Sequence, residues 1–154
     1  NDDWGIDHGT WTVFFHMFPE AKIPVVQLSV NAYLNTEKAY KLGEKLAKLR
    51  EKGYLIVGSG NIVHNLRKIE WDNPKDSQEA DLFDNYILNS VIKREDEKVI
   101  KYEEHEYSNY AVPTPDHFMP LLYILGASQG EKPYIFNEIR ELGSLSMTSY
   151  IFGM

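Results

Sequence analysis

A proline followed by a β-branched apolar run, Pro24-Val25-Val26-Gln27-Leu28-Ser29-Val30, then an amphipathic stretch and a second apolar run, constrain this chain more than any other feature. The first run is short and rich in valine, which suits a largely buried strand better than a helix. From Thr36 to Lys52, Ala39, Leu42, Leu46 and Leu49 recur at three- and four-residue intervals among lysines and glutamates, and Gly53 follows as a stop. That spacing predicts an amphipathic helix. Tyr54-Leu55-Ile56-Val57 predicts a second buried strand, and Gly58-Ser59-Gly60-Asn61 turns out of it. Strand, helix and strand joined by short connections form the βαβ unit of a parallel sheet, whose sites gather at the carboxyl ends of the strands. The expected class is α/β: a central, mainly parallel or mixed sheet flanked by helices, with residues 1–154 forming a single piece of a larger domain.

Beyond this unit, Asp76 to Glu104 carries Ala80, Phe83, Ile87 and Val91, then Val99, Ile100 and Tyr102, among many charges. This predicts one long helix, or two broken near Arg94-Glu95-Asp96-Glu97, with the charge run on a solvated face. Ser108 to Pro115 reads as a turn-rich connection, and Asp116 to Ala127 as a helix with Pro120 in its first turn, where a missing amide costs little. Tyr134 to Ile139 and Leu145 to Phe152 read as strands.

Composition narrows the chemistry. A formal charge of −7 gives no basis for nonspecific binding to nucleic-acid phosphates, which requires clustered Lys and Arg. Cysteine is absent, so disulfides, thiolate metal sites and cysteine nucleophiles are excluded, and a metal would have to use His, carboxylate or carbonyl ligands. No apolar run reaches the roughly 18 residues that a spanning helix needs. Asn1-Asp2-Asp3 lacks the features of a signal peptide, so a cytoplasmic location is the default expectation.

Five histidines stand at positions 8, 16, 64, 105 and 117, and none forms a short chelating pair with another. His8 lies in Asp7-His8-Gly9-Thr10-Trp11, where a carboxylate could orient its imidazole; its ordinary reading is a capping or turn residue. His64 follows the Gly58-Ser59-Gly60-Asn61 turn. Those glycines could instead cradle a phosphate, although the lysine and spacing of a P-loop are missing. His117 follows Pro113-Thr114-Pro115-Asp116, and its ordinary reading is a first-turn helix residue capped by Thr114 or Asp116. His16, among phenylalanines, reads as packed or partly exposed, and His105, among glutamates, as solvated.

Taken together, Trp4-Gly5-Ile6-Asp7-His8-Gly9-Thr10-Trp11, Gly58-Ser59-Gly60-Asn61-Ile62-Val63-His64-Asn65-Leu66 and Thr114-Pro115-Asp116-His117-Phe118-Met119-Pro120-Leu121-Leu122 resemble, in order and approximate spacing, motifs of the class III extradiol ring-opening dioxygenases of the DOPA-dioxygenase type. Pro24 to Val30 and Gly143-Ser144-Leu145-Ser146-Met147 extend the likeness over nearly the whole chain. The resemblance implies an enzyme in which a metal holds a catechol through its two oxygens, dioxygen joins beside it, and the ring opens next to the diol carbons to give a muconic semialdehyde. It implies His117 as a metal ligand and His64 as the acid/base histidine, which could also approach the metal. His8 would be an additional active-site histidine. Fe(II) is expected for turnover and Zn(II) as a metal that can be found bound. The small-molecule partners would be a catechol and O2. Trp11, Phe15 and Phe118 are candidate pocket aromatics, with core packing as their ordinary reading.

The family's other two metal-ligand histidines lie in an N-terminal region with no counterpart here, which leads to the expectation of a fragment or of a site completed by a separate chain. A homo-oligomer is a further expectation. Two other function classes stay open: a non-catalytic binding protein of the same fold, and a hydrolase using zinc-bound water.

Overall fold

The computed structural model describes residues 5–31, 33–73 and 77–154. Trp4, the residues Asn1-Asp2-Asp3 and the expected helix start at Asp76 lie outside the described residues. The chain divides into two compact units, Asn1–Asn31 and Ala32–Met154.

In the first unit, helix α1 (His8–Met17) is capped by Asp7, whose carboxylate accepts the Gly9 amide at 2.7 Å. The Asp7 amide donates to Oε1 of Gln27 at 2.7 Å, so the helix start and the extended segment are tied within the unit. Residues 24–30 are extended, but no ladder partner is assigned to them among the described residues, and Val26 is 87% exposed.

The second unit is helical with small sheets. Asn35 caps α2 (Thr36–Arg50), in agreement with the predicted helix. Its buried stripe is Ala39, Gly43 and Ala47 rather than the leucines, which are half-buried. The small stripe exists because α2 packs against α6 (Met119–Ala127) at very close range. A Cβ on Gly43 would collide with the Tyr123 carbonyl, and one on Gly126 with the carbonyl of Tyr40. Backbone approaches backbone here, and only glycine leaves the room.

Ser77 caps α3 (Gln78–Lys93), which presents Ala80, Phe83, Ile87 and Val91 to the core. The helix stops at Arg94, which takes the left-handed conformation at φ 56, and α4 (Asp96–Ile100) follows. The expected break is therefore real, and the expected solvation holds for Glu97 and Lys98 but is corrected for Arg94 and Asp96. Arg94 and Asp96 are only 12% and 15% exposed in their side chains. The Arg94 guanidinium donates to the Leu125 and Glu131 carbonyls, to Oγ of Ser128 and to Asp96, closing the far end of α6. Asp96 also accepts the Tyr40 hydroxyl at 2.8 Å; burial and this carboxylate push the phenol up to about 12. The 108–115 connection contains one short helix, α5 (Ser108–Ala111). The helix expected from Asp116 begins instead as a 3-10 turn, Pro115–His117, continued by α6 with Pro120 at its start.

Four short strands make two antiparallel pairs. β1 (Tyr134–Phe136) pairs with β4 (Ser149–Ile151), and β2 (Arg140–Glu141) with β3 (Leu145–Ser146). Strands thus lie in both of the last apolar runs, but the single strand expected over Leu145 to Phe152 is corrected to two, β3 and β4, with different partners. The central parallel sheet is not among the described ladders: residues 54–57 are extended without an assigned partner, and Leu55 is 66% exposed. A parallel ladder requires a neighbouring strand for its amides and carbonyls, and here the apolar segments have the strand-forming sequence without that neighbour. No helix among the described residues is long and apolar enough to cross a membrane.

Candidate active site

His64 and His117 meet in the second unit. Their rings stack with centroids 3.7 Å apart and planes 11° from parallel. Two segments distant in sequence are brought together by backbone bonds rather than by the rings. The Asn61 amide donates to the His117 carbonyl at 2.9 Å, and the His64 amide donates to the Ala111 carbonyl at 2.9 Å. A Cβ on Gly60 would strike the His117 carbonyl, so this turn closes on the 115–117 segment only with glycine at 60.

Asn65, buried beside His64, donates from Nδ2 to the Tyr110 carbonyl at 2.6 Å and accepts the Arg67 amide, starting a 3-10 turn over Leu66–Lys68. On the other side the segment is held by the β2–β3 hairpin. Its backbone bonds are Ser146 amide to Val63 carbonyl and Asn65 amide to Ser144 carbonyl, both 3.1 Å, flanking an antiparallel bridge between His64 and Leu145.

The electrostatics favour a neutral His64. Burial, and then the adjacent His117 imidazole, hold its pKa below the ordinary imidazole value, while Asp116 opposes the shift. Asp116 is itself held below the usual carboxylate range, first by a hydrogen bond from Thr114, and its Oδ2 lies 3.5 Å from Nε2 of His117. His64 is half-buried and His117 remains 40% exposed in its side chain. An imidazole that is neutral near physiological pH can take a proton and return it, and an unprotonated nitrogen can ligate a metal.

The donor chemistry thus suits a metal, but the count does not complete one. Among the described residues no three His, Asp or Glu side chains group closely enough to hold an ion, whereas a three-ligand protein site is usual for catalytic metals. Either imidazole has a nitrogen that could serve as one donor, and the described residues do not supply the whole of such a site.

The other candidates fall elsewhere. His8 is exposed at the first position of α1, with Nδ1 3.9 Å from Asp7; it is described within the first unit only. His16 is exposed on the same helix. The expectation that His105 is solvated is corrected: its ring lies 5.4 Å from Phe83 and 4.5 Å from Tyr86, and burial lowers its pKa. Of the candidate aromatics, Trp11 and Phe15 are exposed, while Phe118 is core, packed on Tyr102 and Phe83.

Asp84 is not marked by any motif, and Ser144 and Ser146 stand in the sequence only within the Gly143–Met147 likeness; all three are buried and support the His64 segment. A signal for Asp84 was available, since it falls on the helical stripe Ala80, Ile87 and Val91 that otherwise carries apolar residues.

Comparison with known proteins identifies the family. The chain is 40% identical to the 4,5-DOPA dioxygenase extradiol of Escherichia coli K12 over 97% of its own length and 57% of that protein. It is 36% identical to the 4,5-DOPA dioxygenase extradiol of Beta vulgaris, over 96% of this chain and 56% of the other. The chain therefore spans little more than half the length of these relatives. A crystal structure of an uncharacterized Escherichia coli K12 protein superposes with a TM-score of 0.90 at 41% identity, covering 97% of this chain and 64% of that one. The family described as the catalytic LigB subunit of aromatic ring-opening dioxygenase matches residues 1–153, and the chain belongs to that family.

Proposed function

We propose that this chain forms one piece of the catalytic domain of an extradiol dioxygenase that opens a catechol ring with O2 at a non-haem metal. The observation that carries the reading is the stacked His64–His117 pair, which places two imidazoles of the family's motifs face to face. In this reading His117 is one metal ligand, and the remaining donors come from outside the described residues, in the same protein or in a second chain. The metal, iron for turnover and zinc as a competing occupant, supplies Lewis-acid and redox chemistry when bound. His64 accepts a catechol hydroxyl proton and returns a proton as the ring opens, a role its lowered pKa favours by keeping the imidazole neutral. Both atoms of dioxygen enter the ring-opened semialdehyde, so the overall reaction requires no external reductant. His8 contributes to substrate binding. The central parallel sheet forms when segments 24–30 and 54–57 acquire their neighbouring strands.

The test uses the natural protein that contains this sequence, together with any chain that co-purifies, loaded anaerobically with Fe(II) and mixed with catechol or DOPA. Catechol-dependent oxygen uptake and a yellow semialdehyde are expected. His117→Ala should lose bound metal, whereas His64→Ala should retain metal and lose about 10²-fold or more in turnover. Metal content without oxygen uptake, but with ester or amide hydrolysis, would replace this reading with a zinc hydrolase. Neither metal nor uptake would leave a binding protein of the same fold.

A further inference from the structure

Behind His64 lies a buried polar network that neither the stacked pair nor the proposed chemistry uses. Asp84, at 0% exposure, sits on α3 between core residues Phe83 and Ile87. Its Oδ2 accepts Nε of Arg140 at 2.7 Å and the Thr148 hydroxyl at 3.3 Å, and its Oδ1 accepts the Ser146 hydroxyl at 2.8 Å. Arg140 reaches two further residues of the same helix face, Oδ1 of Asn85 at 3.0 Å and Oδ1 of Asp81 at 3.2 Å. Three consecutive places on one face of a rigid core helix thus grip one arginine of β2, and Asp84 also grips the paired residue of β3, since Arg140 and Ser146 stand opposite each other in the hairpin.

Burying a carboxylate carries a desolvation cost that only a well-made set of partners offsets, and a hairpin this short could be held by apolar contacts instead. What the charge adds is direction: charge-assisted bonds fix the hairpin's position more narrowly than apolar packing does. The hairpin in turn registers the His64 segment. Ser146 donates its amide to Val63 and accepts Nδ2 of Asn61 at its carbonyl at 2.8 Å. Ser144, fully buried, donates its hydroxyl to the Asn65 carbonyl at 2.8 Å. Residues 61, 63 and 65 are therefore all held by the hairpin, and His64 bridges Leu145 between them.

We infer that Asp84 is a positioning residue for His64: through Arg140 and Ser146 it fixes the β2–β3 hairpin, and the hairpin sets the His64 imidazole over His117. The inference rests on the proposed acid/base role only for its catalytic consequence, and its structural half stands alone. Ring stacking displaces the His64 carbon-bound ring protons upfield, and histidine-ring NMR at one fixed pH reads that displacement without reference to activity. Assignment comes from His64→Gln, and the unstacked reference from His117→Ala.

Ser146→Ala removes the Asp84 link to β3 and leaves the backbone bonds of Ser146 in place. It is expected to move the His64 ring signals most of the way to the unstacked reference, while those of His105, lodged against Phe83 and Tyr86, stay put. Ser146→Thr, which retains the hydroxyl, should restore them, and Asp84→Asn should act as Ser146→Ala does. In the oxygen-uptake assay the same variants should lower kcat on the order of 10–100-fold with little change in KM for catechol, as a misplaced proton-transfer group does. If Asp84→Asn does not fold, Ser146→Ala decides. Unmoved His64 signals in folded Ser146→Ala would overturn the positioning role. Moved signals with undiminished turnover would leave Asp84 holding His64 and remove the acid/base assignment instead.

Discussion

Gly60 and His105 carry the sharpest expectations for single side chains. Any Cβ at position 60 meets the His117 carbonyl, a backbone atom that cannot swing aside. Gly60→Ala should therefore lower unfolding free energy by about 1–3 kcal/mol and loosen the His64–His117 stack. Gly58→Ala meets the Ile124 side chain first, which can change rotamer, and should cost less; urea titration of the two variants gives the order. His105 sets a pH dependence. Burial lowers its folded pKa, and its Nδ1 accepts the Tyr107 amide at 3.2 Å, a bond that only the neutral ring can make. The unfolded chain therefore binds the proton more readily, so stability falls as pH drops through about 6.5 toward the folded value and is fully present above it. His105→Phe should flatten that decline in part, with His64, shifted the same way, supplying the residue. An unchanged slope in His105→Phe would refute the assignment. The surroundings of His105 were not legible in its sequence neighbours. Three glutamates nearby implied water, and only the return of the 102–107 segment onto α3 places the ring against Phe83.

Among the elements, the junction of α3 and α4 gathers several half-buried contacts on one residue, Arg94. Arg94 adopts a left-handed backbone conformation that glycine takes more readily, and its guanidinium offsets this by closing the end of α6 and pairing with Asp96. Its ring partner is Phe152, 5.3 Å from the guanidinium carbon. Arg94→Ala leaves Asp96 without its nearest cation in a site with little water, and should cost about 3 kcal/mol, measured by denaturant unfolding. A loss under 1 kcal/mol would mean that Asp96 is satisfied by Tyr40 alone. The helix spans of α2 and α3 follow from their caps and apolar spacing, so they were readable in advance. The small-residue face of α2 was not, because leucines dominate the periodicity while the closest helix contact selects Ala39, Gly43 and Ala47.

For the whole molecule, the extended segments 24–30 and 54–57 pose a solubility problem that each unit shows by itself. Val26 and Leu55 are largely exposed on backbone with no ladder partner assigned among the described residues, a combination that invites pairing with other chains. The 154-residue chain should associate with increasing concentration in light scattering, and Val26→Lys with Leu55→Lys should suppress this; a monomer at every concentration would contradict it. Because periodicity, capping and short motifs are local properties, the sequence by itself determined the α2 and α3 helices, the family and the pair of motif histidines, but not α1, whose first residue His8 reads locally as a capping or turn residue. Only the tertiary structure decided that His64 and His117 stack, that Asp84 stands behind them and that Arg94 closes α6. Those contacts join segments some 30 residues or more apart in sequence, which no local pattern encodes. The expected parallel sheet divides along the same line: the apolar segments proposed for it are written in local sequence, but a ladder exists only where a neighbouring strand meets their amides and carbonyls.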